Sequence, residues 1–126
     1  MNVLRSDNSE EITRIMFFKN RAYDRSGWPD TRDRDLITVD SSRTSLLPDV
    51  LSRAPETAQV FLDNETLKLR VFLDRSVVEV FVHGKQSLAL RVYPGREDSV
   101  GLSLRSQGQD AALKSLDAWQ IENIYE

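Results

Sequence analysis

The sequence contains no cysteine and one histidine, His83. Without cysteine there is no disulfide framework, no thiolate nucleophile and no cysteine-based zinc or iron–sulfur site. With one histidine, a multi-histidine metal centre cannot form within the chain. A Ser-His-Asp triad could use only His83. No cofactor and no metal is expected. Glycine is scarce too: there are five, and none is grouped into a phosphate-cradling loop. No apolar run approaches the ~18 residues of a membrane span. There is also no block of one charge. Lys and Arg number 17, Asp and Glu 20, and the net charge is −3. Nucleic-acid binding needs a clustered positive footprint, so that class of partner is excluded, as is a membrane. Met1 is followed by a polar segment without a signal-peptide core. The chain therefore reads as soluble, with the cytoplasm favoured; the missing cysteine does not decide the compartment.

What is present is a period of two. The length, 126 residues, is that of one domain. Leu67, Leu69, Val71 and Leu73 alternate with Lys68, Arg70 and Phe72. After Asp74-Arg75-Ser76 the pattern resumes, with Val78, Val80 and Val82 against Val77, Glu79 and Phe81. His83-Gly84-Lys85 makes a second turn, and Leu88, Leu90 and Val92 follow. Beyond Pro94-Gly95, Val100, Leu102 and Leu104 alternate with Gly101 and Ser103. Four strands at nearly regular spacing over residues 67–105 predict an all-β meander in a sandwich or barrel. One face is apolar and the other mixed, as in a sheet with one wet side.

The remainder is less regular. Ile12 to Phe18 and Leu36 to Val39 are predicted strands, and residues 20–35 a charged loop or wide hairpin tip around Trp28. Residues 41–57, with Pro48 and Pro55, form a long loop. Such a loop in a compact domain is either functional or packed across a sheet edge. Near the end, Leu113, Leu116 and Trp119 are spaced as on a helix. Leu116 to Ile121 fits a bulged strand as well, and the company of four strands favours strand.

Candidate site residues are few. Glu97-Asp98 beside a turn point to opposite faces in extended chain, so they read as solvated charges and not as a catalytic acid–base pair. Glu79, among valines, is read as a wet-face residue or a cross-strand partner of Arg70 or Arg91. His83 reads as a turn residue, and Trp119 as core. Trp28 could stack on a sugar ring or pin its own loop. Asn64-Glu65-Thr66 matches a glycosylation acceptor, which has meaning only in a secreted eukaryotic chain. No self-contained catalytic constellation emerges.

LRVFLDRSVVEVFV at 69–82, LALRVYP at 88–94, REDSVGLSLRS at 96–106 and LKSLDAWQIENIY at 113–125 together resemble the C-terminal β-sandwich module of glycoside hydrolase family 32. LRSDNSEEITRI near the start extends the likeness through the whole chain. These are the invertases, inulinases, levanases and sucrose-6-phosphate hydrolases. The resemblance implies a two-sheet antiparallel β-sandwich, jelly-roll or concanavalin-like. It also implies that the chemistry belongs to a separate β-propeller, whose N-D-P-N, R-D-P and E-C motifs have no match here. No catalytic residue carries over. Whole modules of the family open with a strand or two before the part aligned with Asn2 to Arg5. The expectation is thus a single, incomplete sandwich over residues 1–126, inactive alone, with the catalytic propeller as its natural partner. An unpaired sheet edge would favour a homodimer. The other function class kept open is a free-standing carbohydrate-binding module for fructan or sucrose, with Trp28 as its contact.

Overall fold

A computed structural model of the chain describes residues 1–22, 34–62 and 65–124. All eight regular elements within them are strands: β1 (Asn2–Arg5), β2 (Thr13–Ala22), β3 (Arg34–Asp40), β4 (Glu56–Val60), β5 (Leu69–Asp74), β6 (Val77–Val82), β7 (Gln86–Arg91) and β8 (Gly101–Ser103). They form two antiparallel sheets, one of five strands in the order β4-β3-β2-β1-β8 and one of three in the order β5-β6-β7. The fold is an all-β sandwich.

The three-stranded sheet follows from the alternation. Asp74 pairs with Val77, so Arg75-Ser76 is the whole turn, and Arg75 adopts φ 51° to make it. Val82 pairs with Gln86, and the intervening turn places His83 at φ 53° and Gly84 at φ 66°. The register puts Val71, Val80 and Leu88 on one face, with Leu73, Val78 and Leu90 beside them. Val78, Val80 and Val82 are fully buried. The other face carries Arg70, Phe72, Glu79, Phe81 and Ser87, and there the Phe72 and Phe81 rings meet edge to face at 5.8 Å.

The five-stranded sheet supplies the opposing layer. Val3, Ile15, Ile37, Val39 and Val60 are buried and join the valines of β6 and Val92 in one core. Its other face is mixed, with Met16, Phe18 and Leu36 beside polar groups such as the Thr38–Thr57 hydroxyl pair at 3.0 Å, and Asn2 donates to Ser103 at 3.0 Å between β1 and β8. β1 meets β8 through an irregular register between Asn2 and Arg5, where Leu4 takes φ 47°. Gly101 is required at this seam, because a Cβ there would stand 2.7 Å from the Arg5 carbonyl oxygen.

Four expectations need correction. The last of the four meander strands, β8, leaves its predecessors and pairs with β1 in the other sheet. Its apolar residues are exposed, Val100 at 81% and Leu102 at 42%. The predicted strand over Leu116 to Ile121 is absent: residues 104–124 have no regular structure and are exposed throughout. Trp119 is accordingly not core but 82% exposed. Alternation groups residues by face; it does not supply a neighbouring strand or a covering layer. Two strands, β1 and β4, were not foreseen. β1 is four residues long and β4 is polar at Glu56, Thr57 and Gln59, so their extended state comes from pairing with β2 and β3.

The core's position sets a stability contrast. Val80→Ala removes two methyl groups from a fully buried site and is expected to lower unfolding free energy by about 2 kcal/mol. Val100→Ser, at an exposed site, should stay within about 0.5 kcal/mol of the parent. Urea midpoints of the two variants check the contrast.

Candidate functional site

The most elaborate polar arrangement lies where three loops meet at one end of the five-stranded sheet. It is built around Glu11, which is completely buried although it sits in an Asn-Ser-Glu-Glu run that reads as a solvated turn. The turn itself is closed by Ser6. Ser6 N donates to the Glu11 carbonyl at 3.0 Å, and Glu11 N donates to Ser6 Oγ at 3.0 Å. This places the Glu11 side chain inward.

Its carboxylate then accepts four hydrogen bonds. Gly95 N and Leu46 N donate to Oε2, at 2.6 and 3.1 Å. Arg96 N and Ser99 Oγ donate to Oε1, at 2.6 and 3.0 Å. Burial alone would raise the pKa of Glu11. The backbone donors Gly95, Leu46 and Arg96, with the Ser99 hydroxyl, outweigh it and hold the acid below its ordinary value of 4.5. Gly95 fits because no Cβ intrudes: one would lie 2.6 Å from Leu47 Cγ. The chain on either side is tied in as well. Ile12 N donates to the Arg43 carbonyl at 2.8 Å, and the Thr13 and Thr44 hydroxyls meet at 2.6 Å.

An exposed ion-pair array borders this site. Arg96 donates through Nε and Nη2 to the two oxygens of Asp98, at 2.7 and 3.0 Å, and Nη1 lies 3.3 Å from Glu10. Asp98 also accepts from Asp7 N at 3.1 Å. The Arg96 side-chain hydrogen bond is the main reason its pKa falls to about 2. The carboxyl expected to be a solvated charge is thus a lock between two turns. Glu97 stays exposed beside it.

The other residues singled out in the sequence are scattered. His83 is in its turn, where Nε2 accepts from Lys68 N at 3.2 Å and Nδ1 faces Glu65 at 3.7 Å. Glu79 lies on the wet face, opposite Phe72 and Ala89 and diagonal to Arg70 and Arg91. Trp28 and Asn64 lie outside the described residues. Among the described residues no group of three or more His, Asp or Glu side chains is arranged to hold a metal ion. Among the described residues no helix is long and apolar enough to cross a membrane. Glu11 was missed by sequence reasoning because its four donors come from positions 46 to 99. Only the likeness of the segment LRSDNSEEITRI to the family touched it.

The Glu11 array has four donors and no room for a substrate. Its chemistry is that of a clamp. The family described as "Glycosyl hydrolases family 32 C terminal" matches residues 1–120. The chain belongs to this family. It is 30% identical to beta-fructofuranosidase 1 of Zea mays over 98% of the chain, which is 18% of that protein. It is 29% identical to a 6(G)-fructosyltransferase of Asparagus officinalis over 96% of the chain and 20% of the relative. A raffinose invertase of Escherichia coli is 48% identical over 60 residues, 47% of the chain and 12% of that enzyme. The chain thus spans a fifth or less of the length of these relatives. It is a C-terminal β-sandwich module of glycoside hydrolase family 32.

The clamp gives the module a defined acid response. A carboxyl with a lowered folded pKa stabilises the fold fully above its unfolded value of 4.5 and loses that contribution as pH falls through the folded value. In Glu11→Gln the amide nitrogen must face at least one backbone N–H. The variant should therefore lose about 3 kcal/mol at neutral pH. It should also show a flatter stability profile below pH 4.5 than the parent. Thermal unfolding of both proteins across the acid range tests this.

Proposed function

We propose that this module is the non-catalytic part of a β-fructosidase that hydrolyses sucrose or fructans, where it packs on the catalytic β-propeller and stabilises it. The family match over residues 1–120 carries the proposal, supported by relatives named as fructofuranosidases and fructosyltransferases. The surface fits a role exercised through contact. Leu102 in β8, Leu104 just after it, and Leu113, Leu116, Trp119, Ile121 and Ile124 in the final segment are large apolar side chains left in water. The purified chain is expected to produce no fructose from sucrose, inulin or levan. Turnover that survives a contaminant control would overturn the reading.

Assembly with a second copy is part of the same proposal. β5 and β7 are the outer strands of the three-stranded sheet, and β4 and β8 those of the other. Such edges offer unpaired backbone donors and acceptors to a further strand. The final segment, irregular and apolar in part, is of suitable length to supply one. The isolated chain should therefore scatter light as a dimer at high concentration. Removal of residues 107–126 should return it to a monomer; a monomeric parent would refute the assembly.

A further inference from the structure

The long loop between β3 and β4 does more than close the sandwich. Residues 41–53 arch over the end of β7, and between them lies a cleft of about 220 Å³ whose lining includes Ser41, Asp49, Leu51, Arg53, Arg91 and Tyr93. We infer that this cleft binds one sugar ring of a neutral oligosaccharide.

Three observations carry the inference. The first is the character of the lining. Tyr93 is 45% exposed, and with Leu51 it offers the apolar surface that the C–H face of a sugar ring stacks on. Arg53 and Arg91 supply forks of N–H donors matched to neighbouring hydroxyls, and Asp49 supplies an acceptor. A sugar hydroxyl both donates and accepts, so a site for it needs both kinds of group. A site for an anion would not place a carboxylate inside.

The second observation is that these groups are uncommitted. Among the described residues, Asp49, Arg53, Arg91 and Tyr93 have no side-chain hydrogen bond and no ion pair. The neighbouring Arg96, by contrast, is fully occupied by Asp98 and Glu10. Charged side chains facing one cleft without pairing to each other leave their capacity for a ligand.

The third is that the walls are held in place beforehand. Val92 is buried and donates to the Ser76 carbonyl at 2.8 Å, which fixes Arg91 and Tyr93 on either side of it. The loop is braced by Ser42 N to Asp40 Oδ1 at 2.9 Å, by Ser52 Oγ to the Ser42 carbonyl at 3.3 Å, and by the buried Thr13–Thr44 pair. Preorganised walls lower the cost of binding. The volume is below the roughly 300–1,000 Å³ of sites that enclose drug-sized ligands, which limits the site to one ring.

The test is a titration of the isotope-labelled full chain with sucrose, with fructose and with inorganic phosphate, followed by amide shifts. Saturable shifts with a sugar, confined to residues 41–53 and 91–93, are expected. Tyr93→Ala should weaken binding about five- to tenfold, the scale of one stacking contact. Arg53→Ala, on an exposed loop position, should weaken it similarly without touching the fold, and so serves if Tyr93→Ala does not fold. Sugar shifts that are absent, that fall elsewhere or that both variants leave unchanged would overturn the site. So would phosphate binding more tightly than either sugar.

Discussion

One buried carboxylate organises this module. Glu11 gathers the turn before β2, the loop between β3 and β4, and the loop between β7 and β8. Those loops belong to elements of both sheets. Hydrophobic burial holds the sheets face to face but is indifferent to direction. The clamp is directional, and it fixes how the loops at this end lie against one another. A buried charge is tolerable only because every donor reaches it with good geometry. A side chain at Gly95 would press on Leu47, 2.6 Å from its Cγ, so the glycine keeps the loop against its neighbour. Arg96 belongs to the clamp through its backbone and to the exposed ion-pair array through its side chain, so the two arrays share one residue.

How much of this the sequence discloses depends on the range of the interaction. β5, β6 and β7 are legible because their neighbours are adjacent in the chain and one face of the sheet is wet. Val78, Val80 and Val82 could be assigned to the core from alternation alone. β4 could not, because an edge strand rich in Glu, Thr and Gln has no apolar signature. β8 shows the limit from the other side: its alternation is regular, yet its apolar residues are exposed and its partner is the first strand of the chain. Glu11 shows the same limit for the candidate site. Two adjacent glutamates in a polar turn look alike, and only the distant donors at 46, 95, 96 and 99 tell them apart. Family resemblance supplies the two-sheet architecture, where local pattern leaves sandwich and barrel both open.

The two sheets are unequal, and the inequality shapes the surface. Three strands oppose five, and β4 and β7 lie in contact where the sheets meet. Apolar residues along 104–124 are left in water as well. The cleft beside β7 is different in kind. It is lined by charged groups and a phenol on a braced loop, which marks recognition of something polar. The module thus presents two surfaces of opposite chemistry, one fitted to protein and one to hydroxylated ligands.

The pairing of β1 with β8 has a consequence in time. Asn2 and Ser103 are 101 positions apart, yet they are neighbours in one sheet. Contacts of such separation form slowly, because a large loop must be closed before any gain is realised. On a ribosome making about 5–20 residues per second, β1 emerges some 5–20 s before β8 exists. For that interval the β1 edge that β8 will cover stays open. The order in which the chain is made therefore determines when the five-stranded sheet can be completed.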